Sequence, residues 1–386
     1  MKTPERQTST AKPWRHIAVV AGVWFALALV QWVSHVAPLS WTAFRAWEVV
    51  AAPDLPFHPH ARYAGQASGD LGNIAGVPQL KHRHRQVFTV DEYGFRNPVG
   101  WADRRPQVVV VGDSFAAGSQ LSDHETLAAL IESELGLVTY NYATMPLRGF
   151  FYDERFRDAT PRVVVAFHVE RELNADLFTI PEAETFRPRA YADQNEYRRT
   201  HRRGPRALWR ERTHLASRRS LVTWAAERLR QGALWSARLY DFPPQIAHFD
   251  PTTGFLFYAE GSWVKRSPAA QRKRANAAVT ALVEARAKLA RRNIELVTVI
   301  APDKETVYHD LIPDLADRAV YEVLDDFVKQ SRRRGARVAE VHWALADRRA
   351  THSDDLLYFP DDTHLTALGT RIVFNELRSV LAELTQ

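Results

Sequence analysis

Two kinds of apolar pattern run along this chain. The first is one unbroken stretch, residues 17–36 (IAVVAGVWFALALVQWVSHV), which holds no Asp, Glu, Lys or Arg. As a helix rising about 1.5 Å per residue it spans roughly 30 Å, the hydrocarbon thickness of a bilayer. Trp14 and Trp41 flank it, where amphipathic rings suit the headgroup layer, and Lys2, Arg6, Lys12 and Arg15 precede it. That charge bias keeps the N-terminal side in the cytoplasm. A cleaved signal peptide is the alternative, but the run exceeds its usual apolar length. The expected layout is a cytoplasmic tail at 1–16, a transmembrane helix at 17–37, and everything beyond on the periplasmic or extracellular side of the cell inner membrane.

The second pattern begins at Gln107. VVVVGDSF (108–115) is a continuous apolar run ending in Gly and polar residues, as a buried parallel strand does. HETLAALIESEL (124–135) follows with helical spacing, and Gly136 is a natural stop. TYNYA (139–143), VVVAFHV (163–169), IELVTVIA (294–301) and RVAEVHW (337–343) are further strand candidates, with helical segments at about 270–291, 315–334 and 366–384. Strand alternating with helix predicts an α/β protein with a parallel sheet covered on both faces. Residues 38–104 are rich in Pro, Gly and His and read as an irregular lead-in to a domain at 105–386. An insertion at about 175–290 interrupts the alternation. It carries a basic stretch, 198–219, that reads as a solvated helical face, or else as a docking surface for an anionic polymer or membrane.

Composition narrows the chemistry. The chain has 386 residues and no Cys, which excludes disulfides, thiolate zinc, iron–sulfur centres and a cysteine nucleophile. Lys plus Arg exceed Asp plus Glu by 51 − 45 = 6, a modest excess; beyond it nothing suggests nucleic acid, and no phosphate-cradling glycine motif is present. Ser114 is the leading nucleophile candidate. It follows a buried strand directly, at the carboxyl edge where open α/β sheets place ligands, and Gly112 lets the chain turn there. Near a helix N-terminus, unpaired N–H groups can hold a developing oxyanion. A serine hydroxyl needs an imidazole to take its proton, and the imidazole needs a carboxylate to orient it. YFPDDTHLTALG (358–369) supplies His364 with Asp361 and Asp362 just before it.

Gly112-Asp113-Ser114 near the start of the domain and the Asp/His pair near its end resemble the SGNH (GDSL-type) hydrolase superfamily. The resemblance covers about residues 105–386 and implies a flavodoxin-like three-layer α/β/α fold with a Ser-His-Asp acyl-transfer site and no cofactor. A narrower resemblance is to the alginate O-acetyltransferase-like branch. VVVAFHVEREL (163–173) is similar to its strand ending in Glu-Arg-x-Leu, VIAPDKETVYHDLIP (299–313) to its Pro-x-Lys-x-x-x-Tyr segment, and LYFPDDTHLTALG to its Tyr-x-x-x-Asp-Thr-His segment. That last pattern aligns Asp362 with the triad acid, whereas the wider superfamily's Asp-x-x-His selects Asp361; Asp362 is preferred. Three features depart from the patterns. In the alginate proteins the Asp/His pair precedes the serine. The superfamily's oxyanion glycine stands here as Ala143, whose N–H can still donate. Its Gly-x-Asn-Asp motif is replaced by Glu170-Arg171-Glu172, where Arg171 can stand in for the missing donor or hold a structural ion pair.

The implied function is a membrane-anchored O-acetyltransferase or acetylesterase acting on a cell-envelope polysaccharide, with Ser114 as nucleophile, His364 as base, and Asp113, Ala143, Arg171 and Lys304 as oxyanion or substrate contacts. By analogy with that branch, an integral-membrane partner of the MBOAT type delivers the acyl group. Two other readings compete: a lipase, lysophospholipase or thioesterase, and a non-catalytic assembly subunit. His58 with His60 and His82 with His84 form His-x-His pairs, but Asp54 and Asp70 complete no convincing metal set. TVDEYGFRNP (89–98) reads as a lid or packing element in which Arg96 is a candidate carboxylate or substrate contact. Lys304 and Tyr308 are expected just beyond a strand's carboxyl end, lining the cleft, or else packing or forming a surface ion pair.

Overall fold

The computed structural model describes residues 13–36, 55–101, 104–158, 160–182, 189–200, 221–316 and 319–385. The described chain divides into two units, 13–36 with 221–239, and 55–200 with 240–385. In the first, the helix Pro13–Val36 covers the long apolar run, and the helix Leu221–Ser236 accompanies it. Its side chains are described over 17–29 and are exposed there, Trp24 and Phe25 by 70% and 72%. Among the described residues, no helix is long and apolar enough to cross a membrane. Lys2, Arg6, Lys12, Trp41 and Asp54 lie outside the described residues, as does the basic stretch from 201 to 219.

The second unit is built on a five-stranded parallel sheet. Numbering strands along the chain, β1 (Arg62–Ala67) and β2 (His84–Thr89) form an antiparallel pair, and β3 (Val108–Gly112), β4 (Thr139–Asn141) and β5 (Val163–Val169) enter the main sheet. After a second antiparallel pair, β6 (Ile246–Phe249) and β7 (Leu256–Tyr258), the main sheet is completed by β8 (Glu295–Ala301) and β9 (Arg337–Val338). Its order is β4-β3-β5-β8-β9, the 2-1-3-4-5 order of flavodoxin-like folds when its own strands are counted in sequence.

Burial explains the unbroken apolar strands. Val108 and Val110 of β3, with Val163, Val165 and Phe167 of β5, point into a core shared with the helices Leu127–Leu135 and Ala367–Thr385. Their alternates Val109, Val111, Val164 and Ala166 face the opposite core, made with the helices Pro268–Ala290 and Glu322–Arg333. Both faces are covered, so alternation of polar residues has no place.

Three expectations change. The segment 337–343 is a strand only at Arg337–Val338; after a last ladder bond from Ala339 N–H to Thr298 O (2.9 Å), the chain turns into the helix Val341–Thr351. Val341 and Leu345, one helical turn apart, are both fully buried and pack into the core shared with the helix Ala367–Thr385. The lead-in is not irregular throughout: it holds the β1–β2 pair and the helix Asp70–Ala75. The insertion ends near 267, because Ala278, Leu282 and Leu289 of the helix Pro268–Ala290 pack into the sheet's core.

Candidate active site

Two loops meet at the carboxyl edge of the sheet. β3 ends at Gly112 with φ +146°, and a Cβ there would stand 1.9 Å from Phe167 O on neighbouring β5. Only glycine fits. Asp113 caps the short helix Ser114–Ala117, accepting from Phe115 N–H (2.8 Å), and its other oxygen accepts from Val169 N–H (2.9 Å) at the end of β5. Asp113 therefore ties the turn to the adjacent strand and sets where Ser114 points. Arg96 holds the chain just beyond. It donates to the carbonyls of Ala117 (3.1 Å), Gly118 and Leu121 (2.6 Å), and to the carboxylate of Asp123 (3.2 Å).

The second loop, 358–365, lies between the helices Val341–Thr351 and Ala367–Thr385 and brings His364 to Ser114. His364 Nε2 is 2.7 Å from Ser114 Oγ, and Nδ1 is 2.5 Å from Asp362 Oδ1. That Asp362 oxygen also accepts the N–H groups of Thr363 (2.7 Å) and His364 (3.1 Å). Serine, imidazole and carboxylate thus stand in hydrogen-bonding sequence, the arrangement that generates a nucleophilic alkoxide.

Asp361 takes another part. Its Oδ2 accepts from the N–H groups of Gly69 (2.8 Å) and His82 (2.9 Å), and its carbonyl accepts from Gly72 N–H (2.9 Å). A Cβ on Gly69 would come within 2.0 Å of that carbonyl, so the lead-in can lie against the loop only as glycine. Burial, with the charge of Asp362 beside it, pushes the Asp361 carboxyl up to about 6.

A cleft of 230 Å³ opens beside the serine, lined by Asp113, Ser114, Thr144, His168, Arg171 and Glu172 among others. Arg171 donates to Asp303 Oδ1 (2.7 Å) and lies over the Phe115 ring at 5.5 Å. Burial opposes its charge, but Asp303 and Glu305 outweigh burial and hold the guanidinium protonated. His168 is fully buried, and burial keeps its imidazole pKa low; neither ring nitrogen has a hydrogen-bond partner among the described residues.

Two expected contacts are corrected. Ala143 is fully buried and its N–H donates to Asn141 Oδ1 (3.1 Å), so it is not free for an oxyanion; Thr144, the next residue, lines the cleft instead. Lys304 does not line the cleft. Its ammonium is wholly buried and donates to the carbonyls of Leu256, Phe359 and Pro360 (2.8 Å each) and Asp362 (3.0 Å). It pins the loop that carries His364. Burial pushes its pKa down, against the pull of Glu305, Asp361 and Asp362. Tyr308 likewise packs beneath that loop, its hydroxyl accepting from Leu357 N–H (2.9 Å).

The His-x-His pairs serve packing. His60 Nε2 meets Tyr191 O, His84 Nε2 meets Gln120 O (2.9 Å), and the His84 ring stacks on Phe359 at 4.6 Å. Sequence reasoning missed Gln120, Thr144, His168 and the Gly69–Asp70 contact. None sits in a recognisable motif, and only proximity in the fold marks them.

The parallel 2-1-3-4-5 sheet thus carries the serine and histidine loops together at its carboxyl edge. A family model, the SGNH hydrolase-like domain of acetyltransferase AlgX, matches residues 252–386. The match makes residues 252–386 similar to the AlgX-like branch of the SGNH superfamily; it includes Asp362 and His364 and leaves Ser114 outside. No curated protein and no solved structure matches the chain.

Proposed function

We propose that this chain is a serine acyl-transfer enzyme that moves a short acyl group, acetyl foremost, onto or off a cell-envelope polysaccharide. The observation that carries the reading is the relay from Ser114 Oγ through His364 (2.7 Å) to Asp362 (2.5 Å). Ser114 attacks the ester carbonyl while His364 takes its proton, and Asp362 holds the imidazole tautomer and balances the imidazolium. The Ser114 N–H, at the first turn of its helix, and the Arg171 guanidinium face the developing oxyanion. Collapse expels the alcohol, which takes the proton back from His364. A sugar hydroxyl, or water, then attacks the acyl-serine by the same steps in reverse.

The cleft is small, 230 Å³, and sets the charged Asp113, Arg171 and Glu172 beside Pro146, Val169 and Leu177, which favours a short acyl group over a lipid chain. The AlgX-like match supports acetyl transfer as the reaction class. In this reading the uncharged apolar run 17–36, taken from the sequence pattern alone, is the membrane anchor, with the SGNH domain outside the inner membrane and an MBOAT-type membrane partner supplying the acyl group. The test is an acyl-enzyme trap on the full chain, using an activated acetyl ester and intact mass, with Ser114→Ala beside it. A mass gain of one acetyl group in the parent and none in the variant is expected. A folded parent that neither acylates nor turns over leaves a non-catalytic assembly subunit as the better reading.

A further inference from the structure

The two oxygens of Asp362 face different ways. Oδ1 meets His364, whereas Oδ2 accepts from Gln120 Nε2 (2.7 Å) and from Asp70 N–H (2.7 Å). Gln120 is fully buried. It lies six residues after Ser114, in the turn whose carbonyls Arg96 holds from both sides. Its own carbonyl accepts from His84 Nε2 when that ring nitrogen carries the proton (2.9 Å). Its backbone is left-handed, φ +72°, where glycine would sit without strain. A bulky residue kept in that conformation points to a task for its side chain. The amide orientation follows from charge: turned over, its oxygen would face the Asp362 carboxylate.

We propose that Gln120 is a positioning residue of the acyl-transfer site, fixing the Asp362 carboxylate so that Oδ1 meets His364 Nδ1. The inference rests on the triad reading above. The nucleophile and the group that orients the acid then belong to one rigid turn. His364 is gripped at Nε2 by Ser114 and, through Asp362, at Nδ1 by Gln120. The triad keeps its spacing when the two loops shift, because one turn sets both ends.

Two variants of the full chain test this. Gln120→Leu removes the donor. Gln120→Glu keeps it only while its carboxyl is protonated; once ionised, it repels Asp362 at hydrogen-bond distance. Two readouts are followed across pH: turnover of an activated acetyl ester, and the low-field proton resonance of the His364–Asp362 hydrogen bond, assigned by its loss in His364→Gln. In Gln120→Leu we expect kcat to fall about 10- to 100-fold, the order set by small misplacement of a catalytic group, with KM within twofold and the resonance broadened or shifted. Gln120→Glu should track the parent at acid pH and Gln120→Leu at alkaline pH. A purely structural role would weaken both variants alike with no such crossover. Parent-like kcat and an unmoved resonance in Gln120→Leu would overturn the proposal. If the parent itself does not turn over, the acyl-transfer reading fails separately, and the resonance alone decides whether Gln120 holds Asp362.

Discussion

The two loops that meet at the cleft are held in opposite ways. The nucleophile turn, 112–118, takes its bend from its own residues, Gly112 turning the chain and Asp113 capping Phe115 two residues on, and Val169 and Arg96 then tie that bend in place. The acid–base loop, 358–365, has a few local bonds, such as Phe359 N–H to His364 O (3.1 Å), but its fixed points come from far along the chain. Lys304 grips its carbonyls from below, and Gly69, Asp70, His82 and Gln120 grip its two aspartates from the other side. A locally framed turn keeps its shape wherever its strand is in place. A loop framed from a distance depends on the whole domain, which makes it the more vulnerable half of the site.

The largest expected contrast lies between the adjacent aspartates. Asp362→Asn should lower kcat by about 10⁴, the order found when a triad acid loses its charge and the imidazole takes the wrong tautomer. Asp361→Asn should stay within tenfold, since its amide oxygen can still accept from Gly69 and His82. Parallel steady-state kinetics decide the matter, and the reverse ranking would make Asp361 the acid. Next comes the support from below. Lys304→Met leaves the carbonyls of Leu256, Phe359, Pro360 and Asp362 without their donor and the neighbouring carboxylates without a counter-charge. A loss of about 3–5 kcal/mol in denaturant unfolding is expected. An unchanged midpoint would mean the loop does not rely on Lys304.

The smallest effect is a pH dependence. The Asp361 carboxyl is raised to about 6 from 3.8 by burial and by Asp362, so between those values the folded state binds more protons than the unfolded chain. Stability from this group is therefore gained on acidification through that window and lost as pH rises through it, by about 1–3 kcal/mol in all. Asp361→Asn should flatten the corresponding part of the stability–pH curve measured by denaturant midpoints. A slope identical to the parent's would show that Asp361 does not feel this burial.

Much of the fold could be read along the chain because the signals are local. Runs such as VVVAFHV and ELVTVIA, buried on both faces, became β5 and β8. Ser114 and His364 were legible for the same reason: each lies beside a strand end or a helix start that its own neighbours define. RVAEVHW misled because a short apolar run suits strand and helix alike, and only packing of Val341 and Leu345 chose helix. Lys304 misled because its position beyond β8 suggested the cleft, while the loop above it drew the ammonium inward.

By itself, the sequence determined the parallel α/β layering, the apolar first helix, and the residues competent to act as nucleophile and base. The tertiary structure decided which aspartate faces His364, that Ala143 N–H is engaged by Asn141, and that Gln120 and the lead-in close on Asp362. The physical reason is range. Apolar periodicity and turn chemistry act over a few residues, whereas the partner of a carboxylate oxygen is chosen by whichever donor the fold carries to it, here from residues 242 and 292 positions away in the chain.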